Sequence, residues 1–137
     1  MNLQVKQKIN PFFEGCKHGK FLLQKCATNG HLQYPPGNFC RQCGSHIGDW
    51  VPSMLKGTVE AFSLVQRAPM SVFDQYVPYM VAVVKLTEGP LVETWLKIDG
   101  RTPEISEVDI GEQVGFGFEP INGQVVPVAT LVGGKQG

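Results

Sequence analysis

The second half of the chain contains five short runs of apolar and β-branched residues that are separated by turn-forming sequences. Such runs are typical of β-strands. Turn sequences follow the second run at residues 87–90 (Thr-Glu-Gly-Pro) and the fourth at Asn122-Gly123, and an Asn-Gly pair is a strong hairpin signal. The five predicted strands are Thr58 to Val65, Tyr79 to Thr87, Leu91 to Ile98, Val114 to Glu119 and Val125 to Leu131.

This pattern predicts a mainly β fold. Five short strands without a long helix, within roughly 80 residues, are typical of a five-stranded OB-fold barrel. A small β-sandwich is the alternative that the same pattern allows. We therefore expect residues 53–137 to form an OB-fold barrel.

The start of the chain, residues 1–20, predicts one short helix. Asn10 is suited to cap a helix, and Pro11 is suited to its first turn. Phe12, Phe13 and Cys16 then fall on one apolar stripe, and Gly19 can end the helix. A helix this short is not stable alone, so its apolar stripe needs a surface to cover.

Residues 21–52 differ from the rest of the chain because they are rich in turn formers and poor in long periodic runs. Two sequences within them share one frame: residues 26–30 (Cys-Ala-Thr-Asn-Gly) and residues 40–44 (Cys-Arg-Gln-Cys-Gly). Two thiolates three positions apart, followed by a glycine for the tight turn, form a metal knuckle. The nine residues between the two sequences suit the hairpin of a zinc ribbon.

The ligand set of this ribbon is one thiolate short, because Asn29 stands where the second thiol of the first knuckle is expected. A structural zinc ion requires four donors. Three outcomes stay open: zinc with a fourth donor from elsewhere, weak or lost metal, and thiols that act only as buried apolar groups. The candidate ligands are Cys26, Cys40 and Cys43, with His31 as the nearest fourth donor and Cys16 as a remote one.

Composition and charge narrow the choice of partner and location. Apolar residues make up 42% of the 137 residues and charged residues 18%, so the chain can bury a core. Twelve basic and twelve acidic residues leave no net charge to attract nucleic acid. The polar N-terminus lacks the apolar core of a signal peptide, and no run is long enough to span a bilayer. We expect a cytoplasmic chain that does not associate with membranes.

Aromatic residues could bind either single-stranded nucleic acid or a protein partner. OB folds stack bases on aromatic side chains, but a basic groove normally accompanies them. Residues 71–80 contain no positive charge and include Asp74, which favours a protein interface. The aromatic residues in question are Phe12, Phe13, Phe73, Tyr76, Tyr79 and Trp95.

The order and spacing of these features resemble the zinc-ribbon/OB-fold proteins linked to acyl-CoA metabolism, which accompany enzymes of the thiolase superfamily. The resemblance runs from the helix nearly to the C-terminus. It rests on residues 11–15 (Pro-Phe-Phe-Glu-Gly), 23–26 (Leu-Gln-Lys-Cys), 35–36 (Pro-Pro), 40–44, 57–62 (Gly-Thr-Val-Glu-Ala-Phe), 67–69 (Arg-Ala-Pro), 77–79 (Val-Pro-Tyr), 86–89 (Leu-Thr-Glu-Gly) and 110–114 (Ile-Gly-Glu-Gln-Val).

The resemblance implies a rubredoxin-like ribbon at residues 21–52 between the helix and the barrel. It also implies a stable complex with a thiolase-like partner that acts on CoA thioesters. Asn29 departs from the family pattern, which has a cysteine there, and this puts the metal in doubt rather than the fold.

The sequence offers no set of catalytic residues. A catalyst needs a nucleophile, a base and an orienting group within reach, whereas His18, His31 and His46 are scattered through the helix and ribbon. We expect a non-catalytic accessory subunit that binds a thiolase-like enzyme and helps to shape its CoA-thioester site. Arg67, in the loop after the first barrel strand, is the candidate contact for a CoA phosphate. The alternative function is single-stranded nucleic-acid binding.

Overall fold

The computed structural model of the chain describes residues 11–132 and contains one α-helix at its start. This helix, α1, spans residues 11–17; the predicted cap, Asn10, lies outside the described residues. Gly19 adopts a left-handed φ of 76°, and the amides of Gly19 and Lys20 donate to the carbonyls of Cys16 and Gly15 at 3.1 and 2.8 Å. These two bonds satisfy the last carbonyls of the helix, so Gly19 ends it as predicted.

The ribbon is a three-stranded antiparallel sheet with the order β2-β1-β3. Its strands are short, and β2 has only two residues. The loops that carry the two predicted knuckles lie at β1–β2 and before β3. The strands are β1 (Leu22–Cys26), β2 (Leu32–Gln33) and β3 (Ile47–Pro52).

The remaining strands form a closed five-stranded barrel with the order β4-β5-β6-β8-β7. Strand β6 pairs with β8 in parallel, and the other four pairings are antiparallel. The prediction of a mainly β fold with an OB-type barrel is confirmed. The strands are β4 (Lys56–Val65), β5 (Tyr79–Leu86), β6 (Leu91–Lys97), β7 (Gln113–Ile121) and β8 (Gln124–Leu131).

Strand β4 pairs on both edges and closes the barrel. A register shift between Val59 and Ala61 bends it, as a β-bulge does. Gly57 lies where β4 meets β5 and β7, and a Cβ atom there would come within 2.5 Å of the Lys85 carbonyl oxygen and 2.6 Å of Val84 Cγ1. Only glycine therefore permits this close approach of the two strands.

Two apolar cores organise the chain. The first fills the barrel and includes Val59, Met80, Val84 and Leu96, each at most 1% exposed. The second lies where α1, the ribbon and the barrel meet. Its fully buried members are Phe12, Cys16, Phe21, Leu23, Leu86 and Val92.

The second core gives the apolar stripe of α1 the surface that it needs. Phe21, at 0% exposure, makes edge contacts with the rings of Phe12, Tyr34 and Phe116, at centroid distances of 5.2 to 5.5 Å. Phe116 belongs to β7, so this cluster joins the ribbon to the barrel. The division of the chain at residues 20 and 52 stays a prediction.

Two short 3-10 helices, Ser71–Tyr76 and Ile105–Glu107, lie in the long barrel loops. Sequence analysis did not predict them, because neither has apolar periodicity. Among residues 11–132, no helix has the length and apolar character needed to cross a bilayer.

Candidate metal centre and partner surface

The two knuckle sequences fold into loops of the same design. Gly30 and Gly44 adopt left-handed φ values of 73° and 75°. The Gly30 amide donates to the Cys26 carbonyl at 3.1 Å, and the Gly44 amide donates to the Cys40 carbonyl at 2.8 Å. Each glycine therefore closes one turn over the cysteine that begins it.

These loops bring together the four side chains that sequence analysis named as metal candidates. The donor atoms of Cys26, His31, Cys40 and Cys43 all lie within 4.8 Å of one another. Cys26 Sγ is 3.4 Å from Cys43 Sγ, and Cys40 Sγ is 3.5 Å from His31 Nδ1. The remote candidate, Cys16, lies instead in the second core, where burial raises the pKa of its thiol to about 11.

The environment of the thiols differs between the two knuckles. Hydrogen bonds with the side chain and backbone of Ser45 lower the pKa of Cys43 to about 6. Cys43 Sγ and Ser45 Oγ are 3.2 Å apart. The backbone amide of Asn29, 3.4 Å from Cys26 Sγ, lowers the pKa of Cys26. Burial raises the pKa of Cys40. The lowered pKa of Cys26 and of Cys43 shifts these two side chains towards the thiolate, the form that binds metal.

Three thiolates and one imidazole suit zinc in both number and chemistry. In a tetrahedral site, zinc–sulfur bonds of about 2.3 Å and zinc–nitrogen bonds of about 2.0 Å separate neighbouring donors by roughly 3.5–3.8 Å. The distances of 3.4 and 3.5 Å in this cluster are close to that range. The residues present therefore fit a zinc ion that would fix the two loops together.

A hydrogen-bond network around the buried side chain of Gln24 holds the loop that leads into the second knuckle. Gln24, at 0% exposure, accepts hydrogen bonds from the Gly37 amide at 2.8 Å and the Gln33 side chain at 2.9 Å, and donates to the Gly37 carbonyl at 3.1 Å. Gln33 in turn accepts from the amide of Arg41 at 3.0 Å. The network ties the loop before Cys40 to strands β1 and β2. Sequence reasoning missed it; a polar residue directly after the apolar residues 21–23 was its only signal.

Four of the six predicted aromatic residues line a groove of about 390 Å³ between α1, the ribbon and the barrel, and Tyr76 and Tyr79 do not. Trp95 stacks on Tyr79 with ring centroids 4.2 Å apart, and Phe73 and Tyr76 contact the same indole. Among the described residues, Glu93 is the only charged one that lines the groove. Its lining includes Phe12, Phe13, Tyr34, Phe73, Trp95 and Ile121.

Arg67 lies apart from both the groove and the cysteine cluster. It is exposed, in the bend that follows β4. Within residues 11–132 its side chain has no hydrogen-bond or ion-pair partner.

Comparison with known protein families identifies the two parts of the chain. The rubredoxin-like zinc-ribbon domain of ChsH2 matches residues 13–48, and the C-terminal OB-fold domain of ChsH2 matches residues 50–119. The chain belongs to the ChsH2 family. The resemblance to a zinc-ribbon/OB-fold family linked to acyl-CoA metabolism is thereby confirmed.

Two curated relatives of this ChsH2-family chain are described as a subunit and as a scaffold protein. A probable enoyl-CoA hydratase alpha subunit from Thermomonospora curvata is 34% identical over 75% of the chain. A DUF35 domain-containing scaffold protein from Pyrococcus furiosus is 41% identical over 61% of it. The matched regions are 30% and 59% of the lengths of these relatives.

Two solved structures share the architecture of this ChsH2-family chain. One is described as an Ltp2-ChsH2(DUF35) aldolase; it has a TM-score of 0.76 and 28% identity, and the match covers 91% of this chain and 94% of that one. The other is a DUF35-family protein of unknown function from Sulfolobus solfataricus. It has a TM-score of 0.60 and 15% identity, with 89% and 83% coverage, and supports the fold alone.

Proposed function

We propose that this chain is a non-catalytic accessory subunit, which binds a thiolase-like enzyme and helps to shape or stabilise its CoA-thioester site. The observation that carries the proposal is the likeness, over nearly the whole of both chains, to the structure described as an Ltp2-ChsH2(DUF35) aldolase. The names of the two curated relatives, a hydratase subunit and a scaffold protein, agree with a role inside a complex. A cytoplasmic location remains part of this proposal.

The arrangement of the polar side chains supports an accessory role. Within residues 11–132, the only side-chain hydrogen bond of a histidine joins His31 to Cys40. Cys16 is buried with its pKa raised to about 11, so it is a poor nucleophile. The reacting groups would therefore come from the partner enzyme.

The aromatic groove is the surface that supports partner binding. Protein interfaces use aromatic side chains as anchors and contain few charges at their centre. Within residues 11–132, the lining of the groove has one carboxylate and no basic residue, which fits that description better than it fits a nucleic-acid channel. In this proposal the groove receives an apolar segment of the partner.

Co-expression with a thiolase-like protein from the same genome tests the proposed partnership. We expect the two chains to elute together from size exclusion at micromolar concentration, and Trp95→Ala, which opens the groove, to weaken their association. Lys17→Ala on the exposed face of α1 is the matched control and should leave the elution unchanged. Separate elution of the two wild-type chains would count against the partnership.

In this proposal Arg67 binds a phosphate of the CoA thioester when the complex forms. Guanidinium groups suit phosphate because they donate two parallel hydrogen bonds. We expect Arg67→Ala to raise the KM of the reconstituted complex for a CoA thioester several-fold, without lowering the stability of this subunit.

A substrate without phosphates sharpens the test of Arg67. The same acyl group carried on pantetheine should be turned over equally well by the wild-type and Arg67→Ala complexes. An unchanged KM with the CoA thioester would remove Arg67 from the site, and an equal loss with both substrates would mean that the residue does not act through phosphate.

A further inference from the structure

We propose that His31 is the fourth zinc ligand of this ribbon, and that the first knuckle supplies its second ligand from the residue after the glycine rather than from the residue before it. The proposal goes beyond the accessory role and does not depend on any partner. It rests on the symmetry of the two loops and on the atoms that each loop directs at the cluster.

The two loops can be compared position by position, because each begins at a cysteine and turns at a glycine. Cys26 corresponds to Cys40, Asn29 to Cys43, and the residue after the glycine is His31 in one loop and Ser45 in the other. Backbone pairing is the same in both. The Cys26 amide donates to the His31 carbonyl at 2.8 Å, and the Cys40 amide donates to the Ser45 carbonyl at 2.9 Å.

The position after the glycine faces the cluster in both loops. Ser45 Oγ lies 3.2 Å from Cys43 Sγ, and His31 Nδ1 lies 3.5 Å from Cys40 Sγ. Serine is short, and its hydroxyl contacts the sulfur atom of Cys43. Histidine at the equivalent position is long enough to bring its imidazole nitrogen within 4.8 Å of all three sulfur atoms.

Asn29 occupies the position that supplies a ligand in the second knuckle. Its equivalent, Cys43, supplies a sulfur atom to the cluster. Asn29 has no thiol, and its backbone amide donates to Cys26 Sγ at 3.4 Å. In the second knuckle the second ligand is the residue before the glycine, whereas in the first knuckle it is the residue after the glycine.

With His31 in place of a second thiolate in the first knuckle, the number of donor atoms stays at four and the charge of the site changes. Three thiolates and a neutral imidazole give zinc a net charge of −1, where four thiolates would give −2. The ribbon therefore has a complete set of four ligands without the cysteine that Asn29 replaces.

Metal content and cobalt spectroscopy of the purified, untagged full chain test the proposal. We expect one zinc ion per chain after dialysis. His31→Ala should weaken zinc binding by at least about 100-fold in competition with a chelator. Asn29→Ala, which removes none of the four ligands, should weaken zinc binding by about tenfold or less. His46→Ala is the matched control, since that ring packs on Phe39, and it should bind zinc like the wild type.

His31→Cys keeps the test decisive if His31→Ala fails to fold. This variant should retain one zinc ion, and its cobalt form should show stronger sulfur-to-metal charge-transfer absorption than the wild type, because four thiolates then bind the ion. Wild-type affinity and an unchanged cobalt spectrum in His31→Ala would overturn the proposal, as would a wild-type chain that holds no stoichiometric zinc. Because these measurements use the chain alone, their outcome is separate from that of the partner experiments.

Discussion

The ribbon and the barrel reach a stable fold by different means. The barrel buries a continuous set of aliphatic side chains, among them Val59, Val84 and Leu96, and its strands pair over most of their length. The ribbon has a two-residue strand and knuckle loops that are largely exposed. Polar contacts organise these loops: the network around Gln24 and the cluster of three cysteines and one histidine. A small segment can thus hold a fixed shape with little apolar burial when hydrogen bonds and a metal replace it.

We expect removal of the metal to produce the largest difference in stability between the ribbon and the barrel. A structural zinc site contributes about 10 kcal/mol or more of apparent binding free energy, and the four candidate ligands in this chain all lie in the ribbon loops. After treatment with a strong chelator, we expect peptides from residues 26–47 to exchange their amide hydrogens rapidly and those from residues 56–131 to keep their protection. Equal loss of protection in both regions would contradict this division.

The second core should make the two regions unfold together in spite of that difference. Phe21 contacts rings of α1, the ribbon and β7, so Phe21→Ala is expected to lower the free energy of unfolding by about 3–5 kcal/mol. Single-tryptophan variants report on each region, because Trp50 lies in β3 and Trp95 in β6. Both reporters should shift to lower denaturant concentration by the same amount.

The matched control for Phe21 is Phe39→Ala in the exposed part of the ribbon. Phe39 is 55% exposed, and its removal should change the unfolding free energy by less than about 0.5 kcal/mol. A shift in the Trp50 signal alone after Phe21→Ala would mean that the ribbon unfolds independently of the barrel.

A smaller effect compares one buried polar residue in each region. Gln24→Leu removes three hydrogen bonds and leaves the Gly37 amide without its partner, so we expect a loss of about 2–3 kcal/mol. Thr94→Val in the barrel removes one donor, which is shared between the Pro127 and Trp95 carbonyls, and should cost about 1 kcal/mol. Chemical denaturation measures both. Equal costs would argue that polar contacts matter no more in the ribbon than in the barrel.

The same contrast explains which features the sequence could predict. Strand β5 was predicted from Tyr79 to Thr87 and runs from Tyr79 to Leu86, because a barrel strand leaves a run of β-branched and apolar residues. The strands of the ribbon leave no such pattern, and the 3-10 helix at Ser71–Tyr76 has no periodicity to detect.

The candidate metal centre was partly predictable for a related reason. Cysteines at knuckle spacing and a nearby histidine can be recognised along the chain, and the fold brings these side chains together. The contributions of Ser45 and Gln24 depend on hydrogen bonds that exist only after folding. For Ser45 a signal was available, since it follows its knuckle glycine as His31 follows the other.

Turnover by the purified chain tests the central claim, that this polypeptide assists CoA-thioester chemistry without performing it. The assay would offer an acyl-CoA to the chain alone, to the partner enzyme alone and to the reconstituted complex. We expect cleavage or condensation of the thioester by the complex and none by the chain alone at any enzyme concentration. Thioester turnover by the partner-free chain, abolished by substitutions within it, would contradict the account.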